Sequence, residues 1–193
     1  MPAVAKTDRE TILQAALKLL RRDGLAALSL RALATEVGIA TNALYHYFPS
    51  RDDLTTALSE AAAEKLHATL KREVTRKVAA AKPAITARHT AEIRATALAE
   101  GYLRFAQREP HLYAAMIHKP CGEQKREAYE TLWKFVCEIA AALHGQNRAA
   151  AAAVSLWALL HGTVSLHQAG AIYDLSPAES IHFGLQAWMN ART

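Results

Sequence analysis

The chain has 193 residues, of which 51% are hydrophobic and 21% are charged, so it is long enough to bury the core of one or two small domains. This composition excludes collagen, an intrinsically disordered chain and a disulfide scaffold, and the formal net charge of +5 favours an anionic partner. Alanine occurs 42 times, against 8 glycines and 6 prolines. Because alanine has the highest helix propensity, the sequence predicts an all-α fold.

The sequence predicts a cytoplasmic protein without a membrane span. Its longest nearly continuous apolar run, residues 149–160, is shorter than the roughly 20 residues that cross a bilayer. The N-terminal segment has no signal-peptide pattern. Cys121 and Cys137 are the two cysteines, and without a CxxC spacing they are expected to be reduced, buried thiols, with redox sensing as the alternative.

Two N-terminal helices are predicted from capping residues and helical periodicity. The first begins at Thr7 and Glu10, whose Thr-x-x-Glu spacing is typical of a capping box, and it ends at Gly24. The second follows Ser29, a favoured N-cap residue, and ends at Gly38, where the chain must turn. Both helices carry apolar residues along one side, so each is expected to pack against a neighbour.

A third helix is expected over residues 41–48, because Pro49 prevents its continuation, and Ser50 is expected to cap a long fourth helix. Two short helices joined by a glycine-containing turn, with a longer helix before them, are typical of a helix-turn-helix. The last helix of that motif enters the major groove of DNA. The expected core positions are Leu33, Val37, Ile39, Leu44 and Phe48.

The outward side of the third helix suits a nucleic acid. It carries hydroxyl, amide and imidazole groups and no carboxylate, on Thr41, Asn42, Tyr45, His46 and Tyr47. Residues 1–60 have seven basic and seven acidic side chains, so DNA binding requires the basic ones to lie on one face. From spacing alone, a packing unit of three helices with an ordinary polar face is the alternative.

The stretch from Thr7 to about Leu66 resembles the N-terminal domain of the tetracycline repressor (TetR) family of bacterial transcription regulators, above all over SLRALATEVGIATNALYHYFPSRDDLTTAL at residues 29–58. The resemblance implies a helix-turn-helix DNA-binding domain over residues 1–50, with the start of the fourth helix to about residue 66. It implies a helical ligand-binding and dimerisation domain over residues 51–193. A two-fold symmetric dimer of this kind reads a palindromic operator.

The resemblance also assigns DNA contacts to eight residues, which are Arg31, Thr41, Asn42, Ala43, Tyr45, His46, Tyr47 and Arg51. Residues 41–43 match the base-reading start of the recognition helix, so they are expected to determine the operator sequence. The two tyrosines and Arg51 match positions that contact the phosphate backbone, and Arg31 matches one that reaches bases or phosphate. His46 holds a more variable position. Many members carry Lys or Arg where this chain has Thr41, so one positive charge is missing here.

About nine helices are predicted in all, the later ones over residues 51–78, 91–107, 110–118, 123–143, 148–168 and 177–191. Pro83, Pro110 and the segments 119–122 and 145–147 mark the breaks between them. The far half of the fourth helix is expected to present a solvated basic face with Lys65, Lys71, Arg72, Arg76 and Lys77. The helix over residues 148–168 is apolar nearly all round, which indicates burial on two sides.

Two later segments, GYLRFAQREPHLYAAMI at 101–117 and SLWALLHGTVSL at 155–166, are similar to the TetR subfamily whose C-terminal domain bears a Trp-His-Gly signature. Here the signature is spread out, as Trp157 and His161-Gly162, and Gly162 is expected to let another helix approach closely. The resemblance implies a ligand cavity with candidate wall residues Tyr102, Phe105, Tyr113, Met116, Trp133, Trp157 and His161. Few of these are charged, so the effector is expected to be apolar or aromatic, with a hydroxyl or carboxyl group for a histidine. Ordinary core packing is the alternative for each.

The family plan also implies a homodimer in which the last two helices pair with their copies. The small alanines at 149–153 permit close approach, and apolar area is expected from Leu156, Leu159, Leu166, Ile181, Leu185 and Trp188.

No enzyme, cofactor or metal centre is predicted. The nine histidines are scattered, and neither an HxxxH nor an HExxH spacing occurs. A glycine-rich phosphate loop and a nucleophile elbow are also missing from the sequence. The sequence therefore predicts a ligand-responsive, homodimeric repressor that binds operator DNA, and an activator fits equally. The alternative from another class is a helical protein that binds a small molecule or a metal and whose helix-turn-helix does not engage DNA.

Overall fold

The computed structural model describes residues 8–81, 86–118 and 127–191. Over these ranges the chain forms nine α-helices, one 3₁₀ turn at Gln146–Arg148 and no β-strand. The helices are α1 Arg9–Ala27, α2 Leu30–Val37, α3 Thr41–Leu44, α4 Arg51–Ala79, α5 Ala87–Arg108, α6 Pro110–His118, α7 Glu127–His144, α8 Ala149–Gln168 and α9 Pro177–Met189. The predicted all-α fold is confirmed. The predictions for Thr7, Pro83 and the segment 119–126, which includes Cys121, lie outside the described residues.

The chain divides into two compact units. The first comprises Met1–Ala63 and Glu109–Glu127, and the second comprises Glu64–Arg108 and Ala128–Thr193. The helix-turn-helix region and α6 therefore belong to the first unit, whereas α5, α8 and α9 belong to the second. The domain boundary between residues 50 and 51 stays a prediction, because compactness alone does not assign DNA or ligand binding to either side.

Asp8 caps the N-terminus of α1: its carboxylate accepts the Thr11 amide proton across 2.7 Å and so satisfies one of the free donors of the first turn. The apolar stripe of α1, with Ile12 and Leu20 fully buried, faces the core of the first unit. The expected break at Gly24 is confirmed as a left-handed residue with φ +76°, although one further helical turn follows it.

α2 forms as its capping residues predict. The Ser29 hydroxyl accepts the Ala32 amide proton at 3.1 Å, and Gly38 ends the helix in the left-handed conformation at φ +76° and ψ +31°. Of the expected core positions, Leu33, Leu44 and Phe48 are fully buried, whereas Val37 and Ile39 are half-buried.

α3 is shorter than predicted: the expectation of a helix over residues 41–48 is wrong in its second half, because α3 ends at Leu44. The amides of Tyr47 and Phe48 both donate to the Leu44 carbonyl at 3.0 Å, so the chain tightens into a turn before Pro49. Pro49 in turn disfavours helical geometry at the residue that precedes it.

α4 is capped by Ser50, as the sequence predicts. The Ser50 hydroxyl accepts the Asp53 amide proton at 3.0 Å and donates to the Asp53 carboxylate at 2.6 Å. Since Asp52 and Asp53 lie in the first turn, they also stabilise the positive end of the helix dipole.

In the second unit, α9 packs tightly against α8. The Trp188 indole N–H donates to the Ala152 carbonyl across 2.9 Å, and α9 begins with a capping box formed by Ser176 and Glu179, which was not among the expected features. These contacts orient the inner faces of both helices towards each other.

Within the described residues, α8 buries one face and leaves the other exposed. Val154 is 57% exposed and Leu166 is 49% exposed, although burial on two sides was expected. By length and composition alone, the segment Gln146–Gln168 could cross a membrane, with mean hydropathy 1.5 and 28% of it buried. The outer apolar face of α8 is therefore exposed to solvent unless another molecule covers it.

Candidate nucleic-acid interface and ligand site

The recognition segment, residues 41–48, is anchored by buried residues and presents polar groups outward. Leu44 and Phe48 are fully buried, whereas Asn42, Tyr45 and His46 are exposed. Thr41, Ala43 and Tyr47 are half-buried. The segment thus offers an amide, a phenol and an imidazole to a partner, and it carries no carboxylate that would repel phosphate.

Three arginines belong to the helices around this segment. Arg31 is exposed on α2, and Arg51 is exposed at the start of α4, where its Nη2 donates to the Leu25 carbonyl at 3.3 Å. The Arg9 guanidinium lies 4.8 Å from the ring centroid of Phe48, a favourable cation–π distance. Arg9 was not among the residues expected from the sequence, because no local pattern relates the start of α1 to Phe48.

The remaining described cations of α1 form ion pairs with acidic residues. Arg22 pairs with Asp23 at 2.8 Å, and Arg22 and Lys18 each approach Glu36 at 3.5 Å. The hydrogen bond from Arg22 lowers the pKa of the Asp23 carboxyl, which keeps that pair ionised. Arg21 pairs with Glu109 on α6 at 3.1 Å. These pairs neutralise Lys18, Arg21 and Arg22, whereas the Arg9 guanidinium lies over the Phe48 ring.

In the second unit, two of the candidate ligand residues are in ring contact. Tyr102 is buried on α5, and its ring centroid lies 5.4 Å from that of the half-buried Trp157 in an edge-to-face arrangement. His161 is half-buried one turn further along α8, and burial lowers its pKa. Its imidazole is therefore neutral at pH 7. A neutral imidazole can form a hydrogen bond with an uncharged polar group of a ligand.

The other four candidates occupy different surroundings. Phe105 is buried on α5, and Trp133 is 37% exposed on α7. Tyr113 and Met116 are buried on α6, which belongs to the first unit. Among the described residues, no three His, Cys, Asp or Glu side chains form a group that could hold a metal ion.

An open cavity of about 480 Å³ lies elsewhere in the second unit. Its walls include His89, Glu92 and Thr96 on α5 and Gln186 and Asn190 on α9. None of the seven candidate ligand residues lines it. The cavity could not be anticipated from the sequence, because its walls combine α5 and α9, which lie far apart in the chain.

The expected dimer residues are mostly buried within the chain. Leu156, Ile181, Leu185 and Trp188 have at most 9% of their surface exposed, so they offer little area to a second copy. Leu159 is half-buried and Leu166 is exposed. The large apolar side chains that do face outward from α8, α9 and the loop between them are Val154, Leu166, Tyr173, Leu175 and Phe183.

Gly162 has open space around it. A Cβ atom built there would meet no atom within 4 Å, so the close helix approach expected at this residue does not occur within the described part of the chain. At Gly184, by contrast, a Cβ atom would lie 2.5 Å from Leu159 Cδ1. The close approach between α8 and α9 therefore occurs at Gly184.

Two family profiles match the chain, and together they cover most of it. The profile described as "Bacterial regulatory proteins, tetR family" matches residues 12–58, and "Tetracyclin repressor-like, C-terminal domain" matches residues 95–188. A curated relative from Mycobacterium tuberculosis, described as an uncharacterized HTH-type transcriptional regulator, is 29% identical over 175 residues, which cover 89% of this chain and 75% of the relative.

Solved structures share the fold over nearly the whole chain. A protein of unknown function from Rhodococcus sp. RHA1 superimposes with a TM-score of 0.74 and 26% identity, covering 97% of this chain and 96% of that one. A TetR variant from Acinetobacter baumannii AYE, in complex with minocycline, gives 0.58 and 23% identity, with 95% of each chain covered. The protein RolR, in complex with resorcinol, gives 0.61 and 18% identity, with coverage of 94% and 85%.

Proposed function

The chain belongs to the TetR family of bacterial transcriptional regulators, and on that premise we propose that it is a ligand-responsive homodimeric repressor that binds a palindromic operator. It is a regulator and not an enzyme. One observation carries the proposal: the recognition segment presents exposed polar groups and no carboxylate, and the helices before and after it carry the exposed Arg31 and Arg51. Lys18, Arg21 and Arg22 on α1, by contrast, are neutralised by acidic partners. A location in the cytoplasm, where the operator is accessible, follows from this function.

DNA reading is divided between base contacts and phosphate contacts. Asn42 is exposed at the start of α3, where its amide can pair with a base edge in the major groove, and Thr41 and Ala43 flank it. Tyr45 and Arg51 contact the phosphate backbone from the two ends of the turn that follows α3. In that role they position the protein on the duplex without selecting its sequence.

The remaining contacts lie beside these. Arg31 on α2 reaches the DNA from the preceding helix, while Tyr47 packs along the backbone. His46, exposed next to Tyr45, faces the same groove edge.

The exposed apolar face of α8 supports a homodimer. Val154, Ala158, Gly162 and Leu166 recur at helical spacing along this face, and Val154 and Leu166 are exposed by about half. Open space at Gly162 leaves room for the backbone of a second α8. On α9, Phe183 is 80% exposed, so covering this surface with a second copy would remove a large apolar area from water.

The ring contact between Tyr102 and Trp157, with His161 one turn away, supports a small aromatic or apolar effector in the second unit. RolR was crystallised with resorcinol and the TetR variant with minocycline. Both ligands are aromatic, which favours the same class of molecule here. A neutral His161 suits a hydroxyl group on such a molecule.

The effector acts by binding one conformation of the dimer more tightly than another. We propose that the favoured conformation shifts α4, so that the two recognition segments no longer match the spacing of the half-sites. The effector can weaken DNA binding only by as much as its affinities for the two conformations differ.

The proposal is tested by selection of DNA from a random-sequence duplex pool with the purified full-length protein. We expect an enriched sequence with two-fold symmetry and half-sites about one helical turn apart. Failure to enrich any sequence would contradict the proposal and favour the alternative of a small-molecule-binding protein that does not engage DNA. An asymmetric single half-site would contradict the homodimer alone.

A further inference from the structure

Helix α6 lies far along the chain from the helix-turn-helix, yet both belong to the same compact unit. Leu112 and Ala115 of α6 are almost fully buried there. We propose that Glu109 and Arg21 are positioning residues for DNA reading, because their ion pair holds α1 on α6 and thereby orients the recognition segment. This inference rests on the proposed DNA-binding function and extends it to residues that do not themselves contact DNA.

Glu109 joins two roles at the start of α6. Its carboxylate lies 3.1 Å from Arg21 Nε, and its backbone carbonyl accepts the Tyr113 amide proton at 2.9 Å, which closes the first turn of the helix. Its side chain is 23% exposed and that of Arg21 is 43% exposed, so the pair is partly shielded from solvent. The position of Arg21 is therefore tied to the first residue before α6.

A second contact between the same helices lies one turn further along α1. Gly24 is buried, and a Cβ built on it would lie 3.2 Å from two ring atoms of His111. The change of direction in α1 at this glycine thus occurs directly beneath the α6 imidazole. Two independent contacts, one ionic and one steric, relate α1 to α6.

Neighbouring positions on α1 tie it to α2. Lys18 and Arg22 both reach Glu36 of α2 at 3.5 Å, and α2 leads through Gly38 into α3. An orientation imposed on α1 by α6 is therefore passed to the helix that precedes the recognition segment. Without the Arg21–Glu109 pair, α1 can adopt more orientations. DNA binding must then restrict these orientations, which lowers the affinity.

The proposal predicts a change opposite in sign to simple electrostatics. Removal of a negative charge from a DNA-binding protein ordinarily strengthens its attraction to phosphate. A positioning role for Glu109 predicts weaker binding when that charge is removed. The direction of the effect thus separates the two accounts.

The test compares Glu109→Gln with Glu10→Gln in the full-length protein, using the duplex that the wild type enriches from a random pool. Glu10 is a matched control, because it is exposed on α1 and bonds to Gln14 within its own helix. We expect Glu109→Gln to bind about three- to tenfold more weakly, as for a partly shielded pair that acts through a neighbouring element. The salt dependence of binding should be unchanged, since the same phosphate groups are neutralised in both proteins.

Exchange of the two charges, Arg21→Glu with Glu109→Arg, supplies the rescue. We expect Glu109→Arg alone to bind more weakly although it adds positive charge, and the double variant to recover most of that lost affinity although its net charge equals that of the wild type. Thermal unfolding of each variant confirms that binding is measured on folded protein. If Glu109→Gln does not fold, the comparison of Glu109→Arg with the double variant decides the question.

Three results separate the ways in which the proposal can fail. Affinity of Glu109→Gln equal to or above that of the wild type, as for Glu10→Gln, would overturn the positioning role. No recovery in the double variant would do the same. If the wild type enriches no duplex, the proposed DNA-binding function fails before the positioning role is reached.

Discussion

Gly184 on α9 and Leu159 on α8 lie so close together that a Cβ on the glycine would be 2.5 Å from the Leu159 Cδ1 atom. This approach joins the inner faces of the two helices within one protomer. It also explains why Leu156, Ile181 and Leu185 are buried in the chain. The outer faces of the same helices remain available to a second copy.

Replacement of Gly184 by alanine should destabilise the second unit. The added methyl group must displace Leu159 or separate the helices, and overpacking of this kind costs about 1–3 kcal/mol. The better helix propensity of alanine offsets about 0.5–1 kcal/mol of that cost. Urea denaturation measures the free energy of unfolding. Gln186→Ala, exposed on the same helix, is the control, and it should change stability by less than about 0.5 kcal/mol. Equal stability of both variants would show that α8 and α9 are not packed this closely.

Phe183→Glu should convert the proposed homodimer into monomers. Phe183 is 80% exposed, so the change costs little in a single chain, whereas burial of an unpaired carboxylate between two copies is strongly unfavourable. Sedimentation equilibrium measures the oligomeric state. Ala142→Glu, exposed on α7, adds the same charge on a helix other than α8 and α9. A Phe183→Glu variant that stays dimeric would place the interface elsewhere.

Arg51→Ala should weaken binding to all DNA sequences about equally. The guanidinium is expected to neutralise one phosphate, and its removal should reduce the slope of log K against log salt by about 0.9. Titrations at several salt concentrations measure this slope. Arg108→Ala, exposed at the end of α5, is the control, because it removes a positive charge that is not assigned to a DNA contact. An unchanged slope for Arg51→Ala would contradict its phosphate contact and favour a structural role through its bond to the Leu25 carbonyl.

Asn42→Ala should change which sequence is preferred. The exposed amide at the start of α3 is expected to read a base edge, and its removal should cost about 1–3 kcal/mol on the preferred site and less on others. Repeated selection from a random pool, with the wild type in parallel, reveals the altered position. An equal loss of affinity on every duplex would contradict a role in base reading.

Replacement of His144 by phenylalanine should flatten the dependence of stability on pH. Burial, with Arg148 and Arg88 nearby, lowers the pKa of His144 below its usual value of 6.5. Among the described residues, its buried Nε2 has no hydrogen-bond partner. Below pH 6.5 the imidazole is therefore protonated in the unfolded chain but still neutral in the folded protein. The contribution of His144 to the free energy of unfolding is thus fully present above pH 6.5 and decreases as the pH falls towards the folded pKa.

Phenylalanine keeps the edge-to-face contact of residue 144 with Trp188, whose ring centroid lies 4.5 Å away. Urea denaturation of the wild type and the variant between pH 7 and the acid transition measures the difference. An identical pH dependence in both proteins would show that His144 titrates alike in the folded and unfolded states.

Local features of the fold were predictable from the sequence, because they depend on residues close together in the chain. Ser29 caps the start of α2, Gly38 caps its end and Ser50 caps the start of α4, as these residue types predict. The end of α3 at Leu44 was not predictable from Pro49 alone, since it depends on two amides that share one carbonyl.

Relationships between distant residues required the structure. α8 is apolar nearly all round, so periodicity could not distinguish Leu156, which packs inside, from Val154, which faces out. The Arg21–Glu109 pair joins residues 88 positions apart, and no spacing rule relates them. The contacts assigned to residues 41–43 stay predictions from the family resemblance, because the identity of a base contact depends on the DNA as well as on the protein.

The central claim, sequence-specific operator binding, is tested most directly by fluorescence-anisotropy titration of the purified protein at physiological salt. One duplex comes from the region upstream of its own gene, and a scrambled duplex of equal length and composition is the control. The account predicts saturable binding about a thousandfold or more tighter to the upstream duplex. Weak and equal binding to both duplexes, with no sequence enriched from the random pool, would contradict it.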